Sequence, residues 1–218
     1  MWKFQYIFWD FDGTLFDTYQ HIVSIIEENM KSNYNIDVNA KRIENWCKNS
    51  MEYCFEKICS KFNIDKEKLS NEFSKNYMSS IESKQPPFPG AKEVLEYVHE
   101  NGGKNFIVTH RGPISLAALL KYYNLEYLFE KNLTNADNFP KKPDPSSFLF
   151  LITQFNLPKE RILTIGDREI DIQTARASDI KSCYFNPEGK ICELADFNIK
   201  NLLELKAIVN PRLKESYF

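Results

Sequence analysis

The chain has no Cys-x-x-Cys pair, and none of its three histidines stands at zinc-finger spacing from a cysteine, so a zinc module is excluded. Its five cysteines (Cys47, Cys54, Cys59, Cys183 and Cys192) are an odd number, which argues against a complete disulfide framework. Reduced, mostly packed thiols are expected instead. An excess of one charge is also missing: 28 basic residues face 30 acidic ones, for a net charge of −2. A polybasic surface for nucleic acid or anionic lipid is therefore not expected. No apolar run is long enough to span a bilayer, and the first residues reach a charge at Asp10, so no secretory leader is expected. Internal repeats and low-complexity tracts are absent too. These absences point to a soluble, cytoplasmic protein without a membrane or nucleic-acid partner. Nothing in the pattern fixes an oligomeric state, and a monomer is the default.

The hydrophobic content of 43%, with 17 Phe, is ample for a packed core. Across 218 residues it suits one large domain, or a core with an inserted subdomain. Short apolar runs at residues 4–9, 105–109, 161–165 and 181–185 lack polar alternation, as strands of a parallel sheet covered on both faces do. Helical patterns lie between them: residues 91–101 stopping at Gly102, a helix opened by Pro113, one over 146–155 opened by Pro145, and one over 169–177. A last short strand at 197–199 and a helix through Leu202, Leu205 and Ile208 complete the order. The fold class expected is α/β: a doubly wound, mainly parallel, Rossmann-like sheet.

Residues 18–84 differ. They contain no Gly or Pro, are rich in Lys, Glu, Asn and Ser, and carry apolar residues at helical spacing, such as Ile22, Ile25 and Ile26. About four helices are expected there, inserted into a core made of residues 1–17 and 85–218. The proline-rich segment Gln85-Pro86-Pro87-Phe88-Pro89-Gly90 would form the return.

Four segments carry chemistry. Asp10 and Asp12, two apart at the end of an extended strand, can emerge on one side, where α/β sheets bind ligands. Two nearby carboxylates repel and need a cation or a shared proton, and Gly13 permits a sharp turn beside them. Thr109, followed by His110 and Arg111, ends the second predicted strand with a hydroxyl and backbone N–H groups that suit phosphate oxygens. Lys142 is a cation on a proline-braced loop. Asp167 and Asp171, four apart after Gly166, would share a face if a helix began at Asp167. Each segment taken alone is commonplace; what matters is that all four fall at carboxyl ends of different predicted parallel strands, or in the loops after them.

These segments, Asp10-Phe11-Asp12-Gly13-Thr14-Leu15-Phe16-Asp17, Thr109-His110-Arg111, Lys142-Pro143-Asp144-Pro145 and Gly166-Asp167-Arg168-Glu169-Ile170-Asp171, resemble the four motifs of the haloacid dehalogenase (HAD) superfamily. The likeness is to its phosphoglycolate phosphatase-like branch, with a helical cap after the first motif, and runs from Tyr6 to about Leu205. Trp9 departs from the commoner Phe, which bears on packing more than chemistry.

The resemblance implies a Mg²⁺-dependent phosphatase acting on a small phosphorylated metabolite. Asp10 would be the nucleophile forming an aspartyl phosphate, and Asp12 the general acid and base. The carboxylates of Asp10 and Asp167 and the carbonyl of Asp12 would hold Mg²⁺. Thr109 and Lys142, with His110 beside them, would bind the phosphoryl group, and Asp171 would orient Lys142 or a metal-bound water. Arg111 and His110 are candidates for substrate contact. Lys41, Arg42 and above all the Lys48-Asn49-Ser50 stretch, read as a turn between helices facing Asp10 in a closed state, are candidates for cap specificity. Two rivals stand beside this reading. A phosphomutase of the β-phosphoglucomutase type would carry a His five residues after Asp17; Ile22 stands there and His21 one place earlier, so His21 reads as an ordinary helix residue. A non-catalytic metabolite sensor would not need all six motif residues intact. A dehalogenase fits less well because Asp12 supplies an acid–base group it does not need.

Overall fold

The computed structural model describes residues 3–78 and 85–211. The chain divides into two compact units, residues 1–16 with 87–218, and residues 17–86. Of the expected cap, residues 79–84 lie outside the described residues, as do residues 1–2 and 212–218 of the expected core.

In the first unit β1 (Tyr6–Trp9) is the centre of a six-stranded, all-parallel sheet. The second unit holds α1 (Tyr19–Tyr34), α2 (Ala40–Asn49), α3 (Met51–Phe62) and α4 (Lys66–Met78). The chain then returns through α5 (Ala91–Glu100), β2 (Lys104–Val108), α6 (Pro113–Tyr122), β3 (Phe129–Leu133), α7 (Ser146–Gln154), β4 (Ile162–Gly166), α8 (Glu169–Ala177), β5 (Lys181–Phe185), β6 (Phe197–Ile199) and α9 (Leu205–Val209). The strand order is β3-β2-β1-β4-β5-β6. Strand order therefore reverses at β1, and the loops leaving β1, β2 and β4 open side by side at the carboxyl edge, the ligand-binding position of this topology.

Residues 7–9 and their partners in β2 and β4 are buried on both faces. Phe8 meets Phe106 and Phe148 edge-on, at centroid distances of 5.4 and 5.3 Å. Trp9, the unusual residue before Asp10, is 1% exposed, and its indole N–H donates to Asn105 Oδ1 at 3.0 Å. Asn105 in turn donates to the carbonyls of Leu95 and Leu128, so a buried amide ties β1, α5 and the turn before β3 together.

Sequence reading missed one strand and misplaced several ends. β3 (Phe-Glu-Lys-Asn-Leu) is an edge strand with partly exposed, charged positions, so it shows no apolar run. Arg161 closes a 3-10 turn before β4, and the tail helix begins as a 3-10 turn over Leu202–Glu204. Pro113 is the first residue of α6, as expected, whereas Pro145 precedes α7 as its N-cap.

The unit of residues 17–86 has a core of its own, including Ile22, Ile26, Met30, Ile43, Cys54, Ile58, Leu69 and Phe73. Its lack of glycine is met by asparagine: Asn35 and Asn63 take the left-handed conformation (φ 54° each) that ends α1 and α3. Asn39 and Ser50 accept N-cap bonds from the backbones of Arg42 and Tyr53. A hydrogen bond from the Asp17 backbone to the Pro86 carbonyl, 2.9 Å, joins the ends of the unit. The five cysteines are free. Among the described residues no helix is long and apolar enough to cross a membrane.

Candidate active site

Asp10 follows β1, and its backbone N–H donates to the Ile165 carbonyl at 2.9 Å, which carries the β1–β4 register one residue past the strand. The turn after it closes tightly: Gly13 adopts φ 82°, and its N–H donates to the Phe16 carbonyl at 2.8 Å. Lys142, from the loop between β3 and α7, reaches the same point. Its ammonium donates to Asp10 Oδ1 at 2.7 Å and to Asp171 Oδ1 at 2.6 Å, and all three side chains are at most 2% exposed.

Burying one cation between two carboxylates sets the electrostatics. Desolvation pushes the Asp10 carboxyl above its ordinary pKa, and the Lys142 charge only partly offsets this. For Lys142 burial disfavours the charge, but Asp10 and Asp171 outweigh it and raise its pKa, so the ammonium persists. Asp10 Oδ2 is buried with no hydrogen-bond partner.

Asp10, Asp167 and Asp171 each offer a carboxylate oxygen, all within 4.8 Å of one another. Hard oxygen donors with an unsatisfied buried carboxylate oxygen are the donor set a Mg²⁺ ion takes, with water completing its shell. These residues fit the ion. The sequence reading assigned Asp10, Asp12 and Asp167 to the metal and Asp171 to a supporting place; the geometry adds Asp171 to the acidic group while tying one of its oxygens to Lys142. The side chain of Asp12 is turned elsewhere, into a bidentate ion pair with Arg111: Nε lies 3.1 and 3.2 Å from its two oxygens and Nη2 2.5 Å from Oδ1. Any metal role for Asp12 would fall to its backbone carbonyl.

Asp167 and Asp171 do not share a helix face. α8 begins at Glu169, so Asp167 stands before the helix while Asp171 lies in its first turn, accepting from the Arg168 backbone N–H at 3.3 Å. Strand β4 ending in glycine makes this possible. A Cβ on Gly166 would fall 2.3 Å from Asp171 Cβ, far inside contact distance.

Thr109 follows β2, is 4% exposed, and its hydroxyl oxygen accepts the Arg111 backbone N–H at 3.1 Å. His110 accepts the Lys142 backbone N–H on Nε2 at 3.1 Å. Burial, then the charges of Lys142 and Arg168, lowers its pKa to about 4. Two residues were missed in the sequence. Thr14 donates to Asp167 at 3.3 Å, and Arg168 places a positive charge that acts on Asp10, Lys142 and His110. Both lie inside the motifs already singled out, and their polarity was the available signal.

In the other unit, Lys48 and Asn49 are the last residues of α2 and not a turn, with Ser50 capping α3. Lys48 lies 2.7 Å from Glu44 and over the Tyr19 ring at 5.4 Å. Lys41 pairs with the same Glu44 at 3.2 Å, and Arg42 sits in the first turn of α2. His21 is buried and stacked against Tyr77, 6.0 Å between centroids.

Known proteins resemble this chain in sequence and in fold. Phosphoglycolate phosphatase from Aliivibrio fischeri is 24% identical over 184 residues, covering 81% of each chain. The chain spans 66% of the length of the Pseudomonas fluorescens phosphoglycolate phosphatases it also matches. Among solved structures, a predicted phosphoglycolate phosphatase from Haemophilus somnus superposes with a TM-score of 0.85 at 20% identity, covering 95% of this chain and 99% of that one. The magnesium-bound HAD-hydrolase YfnB from Bacillus subtilis does so at 0.78 and 17% identity, covering 95% and 99%. The haloacid dehalogenase-like hydrolase family matches residues 7–185, most of the sheet and all four motif segments. The chain belongs to that family, as an enzyme of its phosphatase type.

Proposed function

We propose that the protein hydrolyses a small phosphomonoester through a phosphorylated Asp10, with Mg²⁺ as cofactor. A carboxylate oxygen of Asp10 attacks phosphorus, the bond to the leaving oxygen breaks, and Asp12, protonated on one oxygen when substrate binds and held by Arg111 through the other, gives the leaving oxygen its proton. Water then attacks the phosphoaspartate, Asp12 takes the water's proton, and the bond from phosphorus to Asp10 breaks. Thr109 and Lys142 hold the phosphoryl oxygens while charge redistributes. Asp171 keeps Lys142 charged and aimed between substrate and nucleophile. Bound at Asp10, Asp167 and the Asp12 carbonyl, the ion would supply charge neutralisation between the attacking carboxylate and the phosphate.

The observation that carries this reading is the buried Asp10–Lys142–Asp171 cluster with one carboxylate oxygen left unsatisfied. Desolvating so many charges together is costly, and clusters of this kind gather at functional sites, where an anionic group and a cation can complete them. Phosphoglycolate and sugar phosphates are the substrates to try first, on the names of the relatives. The proposed setting is the cytoplasm. Lys48, Asn49 and Ser50 are proposed to influence substrate choice, which Lys48→Ala kinetics across the substrate panel would test.

The decisive experiment is a Mg²⁺-dependent screen of phosphorylated metabolites, with acid quenching to trap labelled phosphoenzyme. Label on the wild type and none on Asp10→Asn is the expected result; full turnover by Asp10→Asn would exclude the covalent route. Glucose phosphates with a bisphosphate activator separate a mutase, which isomerises without releasing phosphate. A protein that binds phosphate but hydrolyses nothing would be a sensor.

A further inference from the structure

We infer that the side chains of the two residues after Thr109 are positioning groups: His110 fixes the backbone that carries Lys142, and Arg111 fixes the carboxylate of Asp12. The inference uses the proposed reaction only for its kinetic arm.

An imidazole nitrogen that accepts a hydrogen bond carries no proton. With Nε2 of His110 accepting the Lys142 N–H, its proton sits on Nδ1, and Nε2 has nothing to donate to a phosphate oxygen. The receiving loop is short of donors of its own. Pro140, Pro143 and Pro145 have no N–H, and that of Asp144 is used by the Lys141 carbonyl. The His110 bond therefore anchors the residue whose buried ammonium must meet Asp10 and Asp171 within 2.7 Å. The low pKa of His110 keeps the acceptor available at neutral pH.

Arg111 is held just as firmly. It is 7% exposed, its backbone N–H donates to Thr109 Oγ1, its carbonyl accepts from Asn135, and its guanidinium carbon lies 5.2 Å from the Phe11 ring centroid. From that fixed base two nitrogens grip the Asp12 carboxylate. One tripeptide thus holds both the backbone of the lysine and the carboxylate of the acid.

The two roles have different kinetic signatures. Lys142 acts on the phosphoryl group, which every substrate shares. Asp12 acts on the leaving oxygen, and p-nitrophenolate leaves without a proton while an alkoxide does not. Single-turnover phosphoryl transfer would be measured with p-nitrophenyl phosphate and glycerol phosphate. His110→Phe should slow both substrates by the same factor, on the order of ten- to a hundred-fold. His110→Gln, whose amide oxygen can accept, should recover part of the rate. Arg111→Met should slow glycerol phosphate by about a hundred-fold and p-nitrophenyl phosphate far less, with Arg111→Lys in between. Wild-type rates for His110→Phe, or an equal loss on both substrates for Arg111→Met, would overturn the corresponding half. Nitrogen-15 NMR tests the geometry without turnover. His110 should show protonated Nδ1 and bare Nε2, and the Arg111 Nε–H should exchange slowly in the wild type and quickly in Asp12→Ala. Protonated Nε2, or exchange unchanged in Asp12→Ala, overturns the inference even in a protein that hydrolyses neither substrate, whereas inactivity with both signatures intact counts against the phosphatase reading alone.

Discussion

Lysines meet carboxylates in both units of this chain, to opposite ends. In the core, Lys142 lies between Asp10 and Asp171 with no side chain more than 2% exposed. In the helical unit, Lys31 meets Asp37 at 2.9 Å with side chains 55% and 83% exposed, and Lys66 reaches Glu52 and Glu56 on open helix faces. Distances are similar, so the chemistry differs through the solvent and not through contact. Water screens the helical pairs and leaves each contributing little; removed from water, the core cluster interacts strongly and leaves an oxygen unsatisfied. A buried cluster of this kind is weak evidence for stability and good evidence for a site.

The comparison is broken most directly at Asp10. Asp10→Asn should cut turnover by on the order of 10⁴-fold or more while keeping the fold, because the amide retains the shape. Measuring kcat beside a thermal melt checks both halves; a folded variant with wild-type kcat would remove the distinction between the two kinds of pair. Lys142→Met should be costlier to the fold. It leaves two buried carboxylates facing each other without their cation, a loss of about 3–5 kcal/mol that denaturant titration would read. The same variant should stabilise partly on addition of Mg²⁺, which the acidic group can still hold, and calorimetry of Mg²⁺ binding gives a second readout.

How far the sequence foretold this contrast depended on the kind of signal. Asp10, Thr109 and Gly166 were visible because each follows a run buried on both faces, and runs of that kind announce parallel strands. β3 was not, since an edge strand with Glu130, Lys131 and Asn132 exposed or half-exposed has no reason to be apolar. Spacing alone paired Asp167 with Asp171 on a helix, but the helix starts two residues later because Gly166 lets Asp171 fold back against the strand end. The Asp12–Arg111 pair joins positions 99 apart and had no local trace. Equally, Lys48 looked like part of a turn only because the helices on either side of Ser50 follow with no intervening loop.

His110 sharpens the comparison through pH. Its pKa is lowered from 6.5 to about 4 by burial and by the neighbouring positive charges of Lys142 and Arg168. The folded state therefore resists protonation that the unfolded chain accepts. Stability is full above pH 6.5, falls as the pH drops through the window down to about 4, and is lost to the extent of no more than about 3 kcal/mol below it. Comparing denaturant midpoints of wild type and His110→Gln between pH 7 and 4 isolates this share. A wild-type curve parallel to that of the variant would show that the imidazole titrates as it does in water. Gly166→Ala follows with a cost of about 1–3 kcal/mol, since the new methyl must displace the Asp171 side chain, and its activity should fall further than its stability because Lys142 loses its alignment.

The smallest effect is expected at a half-exposed charge cluster of the helical unit. Glu44 meets Lys48 at 2.7 Å and Lys41 at 3.2 Å, one turn apart on α2. Burial alone would raise its pKa, but the two ammonium groups outweigh burial and lower it. The carboxylate contribution is therefore present above the unfolded pKa and lost as the pH falls through the lower folded one. With a quarter of the Glu44 side chain and more of each lysine open to solvent, Glu44→Gln should cost less than about 1 kcal/mol. The cost should shrink further in high salt, because mobile ions screen an exposed pair. Denaturant midpoints at low and high ionic strength would read it, beside those of Lys142→Met. A loss from Glu44→Gln as large as that from Lys142→Met, unchanged by salt, would mean that exposure does not separate the two clusters and that burial at Asp10 carries no special meaning.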